Sequence, residues 1–495
     1  MEQRGKTSVG IIAVGLLLGI LGDWLLRAMP WGINVALWLG ALLGLAALLA
    51  WRLRLILAGD GRWLALPIML FAATFAWRDS ITLATLNMLV LLTLLGLAMI
   101  FSGAGRLRFG GVLVYLVGLI QAGFAALFGS LQLLFFDLPW RRLAPGRWGG
   151  PGLAIGRGLL IAVPILLVFG SLFAAADAVF AASVNNLFDW NLDSLFEHVF
   201  VIGFWGWLAT SALYQTMLKA PWIAPEPARP AIIRLGVIEV GIVLGVLNLL
   251  FAAFVLVQIR YLFGGATQLN LADGLSYAEY ARRGFFELVT VAALALPLLL
   301  LAHWVLSPES RRTVRVFGGL AGVLLVLLVV VMISALERMR LYQQEYGLTE
   351  LRLYTTAFMG WLALVFGWFG LTVLPNRPRR FVAGAAGLGA GVLTLLNLLN
   401  PDAVIVRTNA ARNAIQPFDS RYAISLSADA VPALFDALPL MSPDQRCSVA
   451  AQLVREWSAP DERDWRTWNY SRSQAWALVE ANRAELERIA CFNDR

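Results

Sequence analysis

The chain has few charged residues and few of the residues that build metal or redox sites. Only 14% of its 495 residues are Asp, Glu, Lys or Arg, whereas soluble domains carry about 25%. Histidine and cysteine occur twice each, so a zinc site would need carboxylates to complete its ligand set. The low charge content argues against a soluble globular protein, and the histidine and cysteine content leaves little material for a metal centre.

Catalytic sequence motifs are also missing. The sequence contains no G-x-x-x-x-G-K-[ST] phosphate loop, no G-x-S-x-G nucleophile elbow and no H-E-x-x-H metal pair. His198 and His303 each stand alone in an apolar run, which is typical of packed or interfacial histidines. The sequence therefore identifies no catalytic residue, and we expect no cofactor and no metal. Whether the chain is an enzyme stays open.

Long apolar runs are abundant instead. Mean hydropathy is +0.73, and runs of about twenty residues are long enough to cross a hydrocarbon core of about 30 Å. Spanning segments must satisfy their own backbone polar groups, which predicts helices. We predict an all-α polytopic transmembrane helical bundle of about 11–13 spans, with these candidates: 9–26, 33–50, 63–77, 81–101, 110–136, 158–176, 196–218, 232–257, 284–306, 314–336, 353–374 and 381–399.

Hydropathy falls after residue 400. We divide the chain into an N-terminal membrane segment (1–157), a membrane core (158–400) and a small, mainly helical soluble tail (401–495). The formal net charge of +8 suits loops beside anionic lipid better than a nucleic-acid surface. The expected partner is the lipid bilayer, and no nucleic acid is expected.

Arginine positions predict the orientation. In the second half, alternate connections are basic, and the positive-inside rule then places the tail outside the cytoplasm. The basic residues of the first half, which include Arg4, Lys6, Arg52 and Arg54, favour a cytoplasmic N-terminus, and the two halves disagree by one span. The glycine-interrupted segment 110–136 is our candidate for the exception, as a re-entrant segment, an interfacial helix or two short crossings.

Charged residues gather at one end of the later spans. Ser276 and Glu279 form a capping box, and Glu279, Arg283 and Glu287 follow at i, i+4 and i+8 on one face. Our hypothesis is a polar vestibule beneath the tail, with 337–352 packed near this helix. The alternative is unrelated interface charges with snorkelling side chains. The candidate cluster comprises Asp177, Arg260, Glu279, Arg282, Arg283, Glu287, Glu337, Arg338 and Arg340. In the first span, Asp23 and Arg27 are predicted to pair at i, i+4.

Several blocks resemble a known family. "YLFGG" (261–265), "SYAEYARRGFFEL" (276–288), "ERMRLYQQEYGLTELRLY" (337–354), "NPDAVIVRTNAARN" (400–413) and "LSADAVPAL" (426–434) resemble bacterial integral membrane proteins of domain of unknown function family 4173, related to family 4153. The resemblance covers roughly 158–440. It implies a bacterial cytoplasmic-membrane location and no particular activity.

The tail holds both cysteines. Ser442, Pro443 and Gln445 predict a capped helix start, and a second helix is expected from about Arg472. Antiparallel packing would bring Cys447 towards Cys491, and an extracytoplasmic tail would allow their disulfide to persist. The alternative is two unpaired thiols in a cytoplasmic tail.

Three function classes follow. The span count and scattered intramembrane polar residues favour a transporter or lipid-handling protein. The lack of a catalytic constellation favours a non-catalytic envelope scaffold or sensor that uses its tail. Many spans followed by a soluble domain also fit a membrane enzyme acting on lipid-linked substrate at the outer face.

Overall fold

A computed structural model describes residues 2–55, 59–102, 110–138, parts of 158–177, 192–219, 236–263, 285–306, 311–412 and 418–490. These residues form long helices followed by a group of short ones, as the apolar runs predict. Of the twelve predicted spans, ten coincide with described helices long and apolar enough to cross a membrane. The candidate at 63–77 is a shorter helix, and most of 158–176 lies outside the described residues.

The membrane bundle contains eleven long helices within the described residues. They are α1 (Glu2–Leu26), α2 (Ile33–Arg52), α3 (Ala65–Trp77), α4 (Ile81–Phe101), α5 (Val112–Gln132), α6 (Leu192–Met217), α7 (Val237–Phe263), α8 (Phe285–Val305), α9 (Arg311–Tyr346), α10 (Glu350–Thr372) and α11 (Phe381–Leu399). A 3₁₀ turn, Asp60–Leu64, precedes α3, and a π-helical turn, Leu133–Asp137, extends α5.

The bundle has two apolar cores. One joins α1–α6 with the end of α11, and the other joins α7–α11. Close approach of α1 and α6 depends on small residues: a Cβ at Gly19 would lie 2.4 Å from the Ile202 carbonyl oxygen. Such small-residue contacts are the usual means of helix association in lipid.

The described residues of the tail form six short α-helices, joined in part by 3₁₀ turns, around a third core. They are α12 (Pro401–Ala410), α13 (Ser420–Ile424), α14 (Val431–Ala437), α15 (Pro443–Trp457), α16 (Tyr470–Ala481) and α17 (Arg483–Ile489). The predicted capping box is confirmed: the Gln445 amide donates to Ser442 Oγ at 3.4 Å, and the Ser442 amide donates to Gln445 Oε1 at 3.1 Å. The predicted second helix is interrupted at Asn482, and α17 ends at Ile489.

Contacts with the tail define one end of the bundle, the tail face. The end of α1 and the start of α2 lie there, because Arg466 Nη1 donates to the Trp24 carbonyl and the Ile33 amide donates to the Trp468 carbonyl. The turn between α9 and α10 lies there too, since the Leu348 amide donates to Asn409 Oδ1 at 2.7 Å. The opposite end, the basic face, holds Arg4, Lys6, Arg52, Arg54, Arg62, Lys219, Arg312, Arg315, Arg377, Arg379 and Arg380.

Helix α5 begins and ends at the basic face. Near its start, the Tyr115 ring lies 5.7 Å from the Phe101 ring at the end of α4. At its end, Asp137 pairs with Arg4 at 2.8 Å. A helix with both ends at one face does not change the direction of the chain, which explains why the two halves of the sequence disagree by one span. The alternative of two short crossings is wrong, because Val112–Gln132 is one continuous helix.

Candidate functional site: a buried polar joint between bundle and tail

The three-residue connection between α3 and α4 is the centre of the joint. Arg78 stacks on Trp77 with its guanidinium carbon 4.5 Å from the ring centroid. Its Nε donates to the Asn397 carbonyl at 2.7 Å, and Nη2 lies 3.4 Å from the Leu398 carbonyl oxygen. These are carbonyls of the last turn of α11, which have no partners within that helix. Arg78 therefore ties the α3–α4 connection to the end of the last span.

Asp429 of the tail binds all three residues of this connection. Its Oδ1 pairs with Arg78 Nη1 at 3.2 Å and accepts from Ser471 Oγ at 2.6 Å. Its Oδ2 accepts from the amides of Asp79 and Ser80, at 2.7 and 2.9 Å. The side chains of Arg78 and Asp429 are 9% and 1% exposed. A carboxylate from the tail thus caps the start of membrane helix α4 and neutralises a buried arginine.

A second ion pair joins Asp79 to Arg472 of α16. Arg472 Nε lies 3.2 Å from Asp79 Oδ1, without a well-aligned hydrogen bond, and Nη2 donates to the carbonyls of Trp31 and Thr467 at 2.9 Å each. Burial raises the pKa of Asp79 against the attraction of Arg472, and burial lowers the pKa of Arg472. Desolvation thus outweighs attraction in this pair, which makes it a positioning contact more than a source of stability.

The start of α16 completes the contact with α3. Asn469 Nδ2 donates to the carbonyls of Phe75 and Arg78 at 2.9 Å each, and Ser471 Oγ lies 2.9 Å from the Trp77 carbonyl oxygen. The unpaired carbonyls at the end of α3 therefore bind tail side chains, as those of α11 bind Arg78.

A cluster of acidic side chains, Asp402, Asp429 and Glu350, borders the joint. Asp402 Oδ2 accepts from Ser427 Oγ at 2.6 Å, but Asp402 Oδ1 is buried without a hydrogen-bond partner. Burial, with Asp429 and Glu350 nearby, raises the pKa of Asp402 to about 6 despite the hydrogen bond from Ser427. A protonated Asp402 could donate a hydrogen bond, which is one way to satisfy an otherwise orphaned oxygen.

A reciprocal amide pair lies below the joint. Asn87 of α4 and Asn397 of α11 exchange two hydrogen bonds of 3.0 Å, and both side chains are buried. This pair connects the helix capped by Asp429 to the helix capped by Arg78. Within the described residues, no group of three His, Cys, Asp or Glu side chains could hold a metal ion.

Most of the predicted vestibule cannot be compared with the structure. Glu279, Arg282 and Arg283, and the side chain of Arg260, lie outside the described residues. Asp177 and Glu287 are exposed. The vestibule therefore stays a prediction.

On α9, three of the predicted residues have visible partners. Glu337 and Arg340 pair at 3.8 Å, with side chains 47% and 68% exposed. Arg338 Nη2 donates to Gln258 Oε1 at 3.0 Å, and the same oxygen accepts from Ser334 Oγ. Arg338 and Ser334 therefore form a contact between α9 and Gln258 of α7, whereas the Glu337–Arg340 pair lies within α9.

Two other predictions have different outcomes. Asp23 pairs with His198 at 2.5 Å, whereas Arg27 pairs with Glu197 at 2.5 Å; the expected Asp23–Arg27 pair is wrong because His198 of α6 lies between the two. Cys447 is buried in α15, but Cys491 lies outside the described residues, so their disulfide stays a prediction.

Sequence reasoning missed the joint, although two of its acids lie in the blocks quoted above: Asp402 in "NPDAVIVRTNAARN" and Asp429 in "LSADAVPAL". The available signal was "WRDS" (77–80). Two opposite charges in a three-residue connection between apolar helices need partners. The partners, Asp429 and Arg472, lie about 350 and about 390 residues further along the chain.

A protein-family model matches most of the chain. The family described as "Domain of unknown function (DUF4153)" matches residues 65–437, a segment that contains Arg78, Asp79, Asp402 and Asp429 but not Arg472. No curated protein and no solved structure matches the chain. The matched family is 4153. The sequence blocks were compared above with family 4173, its relative, and membership of 4173 is not shown. With most of its length matched, the chain belongs to the DUF4153 family.

Proposed function

We propose that this multi-pass membrane protein is a non-catalytic envelope scaffold that holds its helical tail in a fixed orientation outside a bacterial cytoplasmic membrane. The supporting observation is the buried joint: Asp429 binds a buried arginine and caps the start of α4 at the same time. A tail attached only by its connection to α11 would not need either contact. Transport or lipid handling, and an enzyme acting on lipid-linked substrate, stay alternatives.

The sidedness rests on the charge difference between the two faces. With α5 beginning and ending at the basic face, the basic connections of both halves fall on the same side of the bundle, and the arginines at the tail face, such as Arg78 and Arg340, lie in ion pairs with acidic residues. The positive-inside rule assigns that side to the cytoplasm. The tail would then be extracytoplasmic, where the predicted Cys447–Cys491 disulfide could persist.

A complementation experiment tests the scaffold. A deletion strain would receive the wild-type chain, Asp429→Ala or the control Asp436→Ala, whose side chain is exposed on α14. Limited proteolysis of spheroplasts would report tail docking, and membrane levels would be matched. We expect Asp429→Ala to release the tail and lose complementation, while Asp436→Ala keeps both.

Full complementation by a chain whose tail is released would contradict the proposal. Purified protein in proteoliposomes separates the alternatives. Substrate uptake or lipid flipping that is unaffected by Asp429→Ala would favour transport, and turnover of a lipid-linked substrate would favour the enzyme.

A further inference from the structure

A pair of tryptophans lies where the tail meets the end of α1. The rings of Trp24 and Trp465 are 5.6 Å apart in an edge-on arrangement, and the two residues are 51% and 54% exposed. Trp24 belongs to the last turn of the first candidate span, and Trp465 opens a 3₁₀ turn, Trp465–Thr467, between α15 and α16. We call these two residues the tryptophan patch.

The patch continues a lipid-facing stripe of α1. Leu16, Ile20 and Trp24 follow at i, i+4 and i+8, and all three are exposed, so they form one apolar row along the outside of the helix. Apolar side chains exposed along a membrane span face lipid. Trp465 extends that row from a membrane helix onto the tail.

Hydrogen bonds to the backbone hold the Trp465–Thr467 turn level with the ends of α1 and α2. Arg466 Nη1 donates to the Trp24 carbonyl at 2.6 Å, and the Ile33 amide, at the first residue of α2, donates to the Trp468 carbonyl at 2.9 Å. A Cβ on Gly32 would lie 2.3 Å from the Trp468 carbonyl oxygen, so only glycine permits this approach. The turn therefore lies level with the last turn of one span and the first residue of the next.

Tryptophan suits this level because its ring is apolar and its indole N–H needs a polar partner. Both requirements are met among lipid headgroups, where tryptophans are enriched in membrane proteins. A second copy of the chain could also cover two exposed rings, but the continuous row on α1 favours lipid.

We propose that the tryptophan patch is a lipid-binding surface through which the tail rests in the headgroup region of the bilayer. The tail would then be held by lipid as well as by the polar joint. This inference does not depend on the scaffold proposal or on which side of the membrane the tail lies.

Spin labels in lipid nanodiscs test it. Nitroxides attached at Trp465→Cys and, separately, at Trp468→Cys would be compared with a label at Arg455→Cys on α15, whose main packing contacts are with other tail helices. The unsubstituted chain, labelled in parallel, gives the background signal. Accessibility to oxygen, which partitions into lipid, would be measured against accessibility to a water-soluble nickel chelate.

We expect an oxygen-to-nickel ratio at least about threefold higher at 465 than at 455, as for a group at headgroup depth. Position 468, a second site that leaves Trp465 intact, should show the same direction. Equal ratios at 465, 468 and 455 in folded protein would overturn the proposal. Spin–spin broadening between labelled copies that disappears on dilution with unlabelled protein would overturn it in favour of a second copy.

Discussion

The joint and the C-terminal end of α9 both contain opposite charges at the tail face. The two sites differ in how deeply the charges are buried and in how many partners they have. At the joint, Arg78 and Asp429 are 9% and 1% exposed and each makes further hydrogen bonds to backbone groups. On α9, Glu337 and Arg340 are 47% and 68% exposed and 3.8 Å apart. The denser charge in the sequence lies around residues 276–352, yet among the described residues the buried charges at the tail face include Asp402, Asp429 and Arg472, and the side chain of Arg78 is 9% exposed.

In this chain, the density of charge along the sequence did not locate the joint. Exposed pairs contribute little because water screens them. A buried charge is expensive unless it is fully partnered, so its presence implies a specific arrangement around it. Arg78 and Asp429 meet that condition because the ends of α4 and α11 supply unpaired backbone groups to them.

The largest effect should follow from breaking the joint at Asp429. Asp429→Ala leaves Arg78 buried without its carboxylate and leaves the Asp79 and Ser80 amides uncapped. We expect a loss of about 3–5 kcal/mol in the free energy of tail docking, as for other broken buried pairs. Thermal unfolding in detergent and protease protection of the tail would measure it.

Asp436→Ala serves as the matched control, because it removes an exposed carboxylate from the same part of the tail. We expect it to change docking by no more than about 0.5 kcal/mol. Equal unfolding temperatures and equal protease protection for the two variants would show that the joint does not hold the tail. The joint would then differ from the exposed pair on α9 in burial but not in its contribution to stability.

Asp402 should make the joint sensitive to pH. Its pKa is raised from 3.8 to about 6, so the folded chain keeps a proton that the unfolded chain loses above about pH 4. The stability contribution of this group is therefore greatest below about pH 4 and falls until about pH 6, by about 3 kcal/mol in all.

Asp402→Asn should remove that fall, because an amide needs no proton to stay neutral and its oxygen can still accept from Ser427. Unfolding temperatures at pH 4.5 and pH 8 would be compared with those of Asp436→Asn, which should retain the pH dependence of the wild type. A variant stabilised equally at both pH values would contradict the role given to Asp402.

The amide pair below the joint should have a smaller effect. Asn87→Ala leaves Asn397 buried with its side chain partly unpaired, and such losses cost about 1–3 kcal/mol. Thr93→Ala on the same helix is the control, because Thr93 is exposed and its hydroxyl donates to the Leu89 carbonyl of its own helix. Equal unfolding temperatures for the two variants would show that α4 and α11 are held together by apolar packing alone.

Hydropathy predicts most of the bundle because a membrane span is a local property of about twenty residues. The capped start of α15 was equally accessible, since Ser442 and Gln445 are three residues apart. The joint was not, because Asp79 and Asp429 are 350 residues apart and no local pattern connects them. The sequence showed only that the span counts of the two halves disagree by one. Contacts such as Arg4–Asp137 explain this disagreement, because they place both ends of α5 at the same face.

The smallest effect is expected on α9. Arg340→Ala removes one member of an exposed pair, so we expect a change of no more than about 0.5 kcal/mol in stability. A double-mutant cycle with Glu337→Ala isolates the interaction between the two side chains, and unfolding temperatures in detergent are sufficient to measure it. A coupling above about 1 kcal/mol would mean that the pair is desolvated in the membrane by groups outside the described residues, which include Glu279, Arg282 and Arg283. That result would support the predicted vestibule and give the tail face a second buried polar site.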